Sequence, residues 1–154
     1  AKNAGRKVAL SLSDSFCVSR HRESFIKLVD DHIDILFANE DEITNLYETS
    51  SLSKALEKLK KKCDLAAITI GEKGSILISN GKEIKIDPFI LGKAVDTTGA
   101  GDIYAGAFLK GYADGLKPEL SAKIGSICAG QIVTQLGSRS NTDLLNLINS
   151  HLEA

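Results

Sequence analysis

Methionine is absent from the 154 residues, cysteine occurs three times, and neither sign of charge dominates, with 19 Lys and Arg against 20 Asp and Glu. Cys17, Cys63 and Cys128 are odd in number and widely separated, a spacing that encodes neither a disulfide framework nor a zinc site, so reduced thiols are expected. His21, His32 and His151 are equally scattered and read as surface or helix-end residues rather than ligands. The near-neutral balance offers no basic field for nucleic acid, and no nucleic-acid partner is expected. No run approaches the roughly 18 apolar residues needed to cross a bilayer, and the first residues lack a signal-peptide core. A cytoplasmic protein without a membrane partner is the expectation. The phosphate loop Gly-x-x-x-x-Gly-Lys-Ser/Thr is missing, as are a dinucleotide fingerprint and any His-Asp-Ser set. With no Met and an opening Ala-Lys-Asn-Ala-Gly that reads as a helix end just before a strand, the chain is expected to be a piece of a longer protein.

What is present is the composition of an ordinary globular protein, 43% hydrophobic and 25% charged. The length suits one domain, residues 1–154, since domains most often hold about 100 to 150 residues. Residues 7–13 and 33–37 read as short β-rich runs. Between them a helix over residues 20–31 places Phe25, Leu28 and Val29 on one face, a β-α-β unit that favours parallel strands. Two helices follow, 39–47 and 51–62, the second with Leu52, Leu56 and Leu59 on one side and solvated lysines on the other. Residues 65–70 read as a third buried strand and 71–74 as a turn. Residues 75–79 and 82–87 form the arms of a hairpin closed by Asn80-Gly81. Helices are expected at 102–115, 118–136 and 142–152, the first stopping near Gly115 and the second starting beside Pro118. The class is α/β, without internal repeats or linkers.

The segment Asp96-Thr97-Thr98-Gly99-Ala100-Gly101-Asp102 runs straight into the apolar pattern from Ile103 to Leu109. A helix start with free N–H groups and the positive dipole end attracts anions, and Gly99, Ala100 and Gly101 let a polyphosphate approach the backbone. A carboxylate beside such a cradle repels a resting phosphate, which suggests a task for Asp102: accepting the proton of a hydroxyl that attacks the γ-phosphoryl group. The bland alternative is an N-cap and a Gly-rich turn of the kind any α/β protein uses.

The whole string resembles the signature of the ribokinase-like (pfkB) family of carbohydrate and nucleoside kinases, whose pattern Asp-Thr-x-Gly-Ala-Gly-Asp is complete at residues 96–102. The resemblance implies the C-terminal half of a three-layer α/β/α sandwich, with parallel strands plus a β-hairpin flanked by helices. It implies too that the family's N-terminal strands and lid are expected to lie outside this stretch. It implies Asp102 as catalytic base, with Gly99, Ala100 and Gly101 as the anion hole. Thr69, Gly71, Lys73 and Gly74 match the family's Thr-x-Gly-x-x-Gly segment along the nucleotide, though the glycines also fit an ordinary turn. Asn39 and Glu42 match its Asn-x-x-Glu motif, which supports phosphate and Mg²⁺, Glu42 acting largely through water; Asn39 is equally a helix cap.

Asp96 and Thr98 stand where the family binds a monovalent cation, K⁺, near the region that here reads Gln135-Leu136-Gly137-Ser138, or Asp96 anchors the loop by hydrogen bonds. Ser126, Ala129 and Gly130 align with the adenine-side helix, where small residues leave room for a base or pack a helix tightly. Asp14, Arg20 and Arg22 resemble an Asp-x-x-x-Arg-like stretch and receive no catalytic part. ATP and Mg²⁺ are the implied cofactors, a small-molecule sugar or nucleoside the acceptor, and a homodimer the expected full-length assembly. The strings at 11–18 and 34–40 look most like bacterial adenosine-kinase-type members, with ribose and fructose left open. An alternative is a nucleotide-binding module that is silent on its own.

Overall fold

Strands buried on both faces read as continuous apolar runs, and two such runs form the centre of the sheet. In the computed structural model, which describes residues 1–152, these are β2 (Ile35–Asn39) and β3 (Leu65–Thr69), each with its first four residues buried. The shorter β1 (Ala9–Ser11) pairs in parallel with β2, and β2 pairs in parallel with β3. The strands β4 (Ser75–Ser79) and β5 (Lys82–Ile86) complete a five-stranded sheet in sequential order. Asn80 and Gly81, at φ 50 and 76, close the expected hairpin, both central residues taking the left-handed conformation that a tight hairpin turn requires.

The helices are α1 (Ser15–Arg20), α2 (Arg22–Asp31), α3 (Glu40–Leu46), α4 (Leu52–Leu59), α5 (Ala100–Ala113), α6 (Pro118–Ile132) and α7 (Leu144–Leu152). The α/β class, the parallel strands and the hairpin agree with the sequence. Two details differ. The helix expected at 20–31 is α2, and a short α1 that the sequence did not announce precedes it and meets it at His21, because Asp14 accepts a 2.6 Å bond from the Cys17 N–H and starts a turn of its own. With Phe16 79% exposed and Val18 the one buried residue among its six, α1 has no apolar periodicity to reveal it. The second strand lies two residues later than expected, since pairing with β3 carries it to Asn39 opposite Thr69.

The chain divides into two compact units, residues 1–71 with 76–84, and residues 72–75 with 85 onward. The first has its core in Leu12, Val18, Val29, Leu36, Ile43, Leu46, Leu56, Leu59 and Ile68, which join α1 to α4 to the sheet. In the second, α5 packs on α6 with Tyr104, Phe108, Ile124, Ile127 and Ile132 buried. Burying a side chain of this size stabilises by about 1.5–3 kcal/mol, enough to fix how α5 is set against α6. Among the described residues no helix is long and apolar enough to cross a membrane.

Candidate functional site

In the first unit the parallel pairing of β1, β2 and β3 brings the loops that follow them out on one edge of the sheet, the edge where open α/β sheets bind ligands. Asn39 ends β2 directly opposite Thr69 at the end of β3, so the two motif residues are neighbours. The Thr69 hydroxyl donates to the Ala38 carbonyl at 3.5 Å. Asn39 and Glu42 form a complete capping box: Asn39 Oδ1 accepts the Glu42 N–H at 2.8 Å, while the Glu42 oxygens accept the Asn39 N–H and Nδ2, each at 2.9 Å. Glu42 is only 5% exposed. Asn39→Ala removes the Oδ1 cap and takes the Nδ2 donor from this buried carboxylate while the backbone N–H stays, so a loss of about 1–2 kcal/mol is expected. Denaturant titration checks it, and an unchanged midpoint refutes it.

Arg22, singled out with Asp14 and Arg20, donates from Nε to the Asn45 carbonyl at 3.0 Å and pairs with Glu48, also at 3.0 Å. Asp14 is the α1 cap. Both have structural tasks. Gly71 takes a left-handed φ of 61 with open space around it, as a turn requires.

In the second unit, Lys73 is exposed, and Gly74 at φ 93 lies so close to the Ile86 carbonyl and the Pro88 nitrogen that a Cβ there would overlap both. The 96–102 loop is built around Asp96, whose Oδ1 accepts the Thr98 N–H and whose Oδ2 accepts the Gly137 N–H, each at 2.9 Å. The Val133 carbonyl takes the N–H groups of Val95 and Asp96 at 2.7 and 3.3 Å. That contact has no residue-type signal in the sequence, being wholly backbone. Gly99, at φ 79, approaches Ser138 so closely that a Cβ would lie 2.5 Å from the serine Cβ.

These bonds, that to Gly137 foremost and then those to Thr98, hold the Asp96 carboxyl below the usual carboxylate range. A carboxyl with a depressed folded pKa stabilises the fold above its unfolded value, and that contribution disappears as the pH falls through the folded one. The loop should therefore stay anchored on acidification to about pH 4, near the ordinary aspartate value, and loosen below it. The amide shifts of Thr98 and Gly137, followed by NMR, check this; a common midpoint above the ordinary aspartate value refutes it.

Gly99 caps α5 without a side chain, whereas Asp14, Asn39 and Ser51 cap α1, α3 and α4 through theirs. The Ala100 N–H donates to the Thr97 carbonyl at 3.1 Å and that of Ile103 to the Gly99 carbonyl at 2.9 Å. The N–H groups of Gly101 and Asp102 fall in the first turn, where helix geometry supplies no carbonyl. α5 begins two residues before the expected 102, so Asp102 is its third residue. It is exposed, and among the described residues its carboxylate has no hydrogen bond or ion pair. Exposed donors, a 14-residue helix dipole and a free carboxylate thus share one turn.

On α6 the Ser126 hydroxyl donates to the Asp87 carbonyl at 3.0 Å and accepts the Phe89 N–H at 3.1 Å, and Gly130 lets the Phe89 carbonyl into the space a Cβ would fill. Ala129 is half-buried. The small residues at 126 and 130 thus receive the chain's own backbone. Among the described residues no group of three or more His, Cys, Asp or Glu side chains is placed to hold a metal ion.

The family model for pfkB family carbohydrate kinases matches residues 1–144. A nucleoside kinase of Methanocaldococcus jannaschii is 29% identical over 132 residues, 86% of this chain and 43% of that protein. The crystal structure of an adenosine kinase from Sinorhizobium meliloti superposes with a TM-score of 0.93 at 41% identity, covering 100% of this chain and 47% of that one. Arabidopsis thaliana ribokinase, complexed with ribose and ATP, matches with a TM-score of 0.77 at 27% identity, over 96% of this chain and 49% of its own. The chain spans less than half the length of these relatives.

Proposed function

The chain belongs to the pfkB family of carbohydrate kinases, and from that premise we propose that it supplies the nucleotide-binding and catalytic part of an ATP-dependent kinase acting on a hydroxymethyl group. The observation that carries this reading is the first turn of α5, where N–H groups without a helix carbonyl lie together with an Asp102 carboxylate that has no partner among the described residues. The acceptor oxygen bonds to the γ-phosphorus as its proton passes to Asp102. The bond from phosphorus to the bridging oxygen breaks, and ADP leaves with that electron pair. The N–H groups of Gly101 and Asp102 donate to the transferring phosphoryl oxygens, with Gly99 and Ala100 keeping the approach free of bulk. Thr69, Gly71, Lys73 and Gly74 lie along the nucleotide, with Ala129 on its adenine side.

Mg²⁺ arrives with ATP and neutralises phosphate charge. Both Glu42 oxygens already hold Asn39 donors, so the pair suits contact through water rather than direct ligation. Asp96 likewise gives both oxygens to backbone N–H groups, which fits an anchor of the loop and leaves each oxygen a second lone pair toward a K⁺.

Adenosine is the acceptor we favour, supported by the 41% identity to an adenosine kinase and by the strings at 11–18 and 34–40. A second reading, a nucleotide-binding module without turnover of its own, draws on the chain's spanning less than half of its relatives. Assaying the full-length protein and this chain with Mg-ATP against adenosine, ribose and fructose tests both. Turnover by the full-length protein, with adenosine preferred, is expected. Adenosine as the poorest acceptor overturns the substrate reading, and no phosphorylated product with any of them counts against the kinase reading.

A further inference from the structure

Ser75 and Tyr104 are 1% and 3% exposed, and their hydroxyls share a 2.8 Å hydrogen bond. Both belong to the second unit, and both adjoin residues assigned to the reaction. Ser75 follows Gly74, and Tyr104 lies two residues beyond Asp102 in α5. Residues two apart on a helix point about 200° away from one another, so the side that buries Tyr104 turns Asp102 outward. The Tyr104 ring is gripped on its other side by α6. A Cβ on Gly125 would stand 2.9 Å from the Tyr104 carbonyl and 3.2 Å from two ring carbons, so glycine there lets the helices close on the ring. Packing alone would hold a phenylalanine in the same place. A hydroxyl bonded to a buried serine adds a directional constraint that an apolar ring lacks.

We propose that Ser75 and Tyr104 are a positioning pair, whose buried bond sets the rotation of the first turn of α5 and so the aim of the Asp102 carboxylate relative to Gly74. The inference deepens the kinase reading and rests on it. Neither residue touches substrate; both act through Asp102. Desolvation raises the Tyr104 hydroxyl to about 12, so it stays protonated, able to donate or accept, throughout the range in which a kinase works.

The test uses Tyr104→Phe, Ser75→Ala and the double variant in the full-length protein. Each single change leaves one buried hydroxyl unpartnered and costs stability, while the double change removes both groups and regains much of it. A purely structural pair would have kcat follow that recovery. A positioning pair gives a kcat about five- to tenfold lower in all three variants, the loss of one hydrogen bond of ordinary strength, with KM for ATP unchanged within twofold. Wild-type kcat in Tyr104→Phe, or kcat restored in the double variant, overturns the proposal.

A second measurement is independent of turnover. Hydrogen exchange at the Ile103 N–H, which closes the first turn onto Gly99, should quicken about fivefold in both single variants while α6 amides near Ile127 keep their rates. Unchanged exchange at Ile103 also refutes the pair. If Asp102→Asn is inactive while Tyr104→Phe is wild type in kcat and exchange, positioning fails and the base assignment stands. An active Asp102→Asn removes the base reading, and the exchange result then decides the pair.

Discussion

Asp102→Asn is expected to lower kcat of the full-length protein by about 10²- to 10⁴-fold, the usual contribution of a positioned general base, while ATP affinity stays within a few-fold. Asparagine matches aspartate in size and leaves the Gly101 and Asp102 N–H groups in place, so the cradle for the phosphates survives. What it lacks is the charge that takes the hydroxyl proton. Asp102 is exposed and makes no ion pair among the described residues, so its replacement costs the fold little. A rate loss therefore reports chemistry rather than unfolding. Turnover assays paired with calorimetric ATP titration give the two numbers separately, and a variant keeping more than a tenth of the wild-type rate refutes the assignment.

Gly74→Ala is expected to be the most destabilising single-methyl change in the nucleotide segment. Its φ of 93 is strained for any residue with a Cβ, and the added methyl would overlap the Ile86 carbonyl and the Pro88 nitrogen, backbone atoms that cannot rotate away. Left-handed strain of about 1–3 kcal/mol and overpacking of similar size both apply, so roughly 2–5 kcal/mol of stability should be lost. Gly71→Ala is the internal control. Its φ of 61 carries the strain, but nothing lies within 4 Å of the added atom, so a loss of about 1–2 kcal/mol is expected. Equal shifts in the urea midpoints of the two variants would rule out close packing as the role of Gly74.

Much of the candidate site was legible in the chain. The small residues at 99–101 and the carboxylate at 102 announce a helix start open to anions, and α5 has that uncapped, glycine-led beginning. Asn80-Gly81 announces its hairpin, because only residues tolerant of positive φ close so short a turn. The start of α1 was not legible, since a six-residue helix with a single buried residue leaves no periodic apolar trace. Asn39 and Glu42 carried two meanings at once, ligand motif and capping box, and residue types could not separate them; the hydrogen bonds show each holding the other.

Local chemistry determined the α/β class, the hairpin, the caps and the positions of the small-residue turns, because each depends on residues within a few places of one another. Only tertiary structure decided which glycine is indispensable for packing and which merely turns the chain, and that Asp96 reaches across to Gly137. It also decided that Ser126 and Gly130 receive backbone from 87–89, and that a tyrosine hydroxyl in α5 meets Ser75. These contacts join residues far apart in sequence through backbone approach and shape. Such approach depends on how whole elements pack, which no short pattern of residue types records.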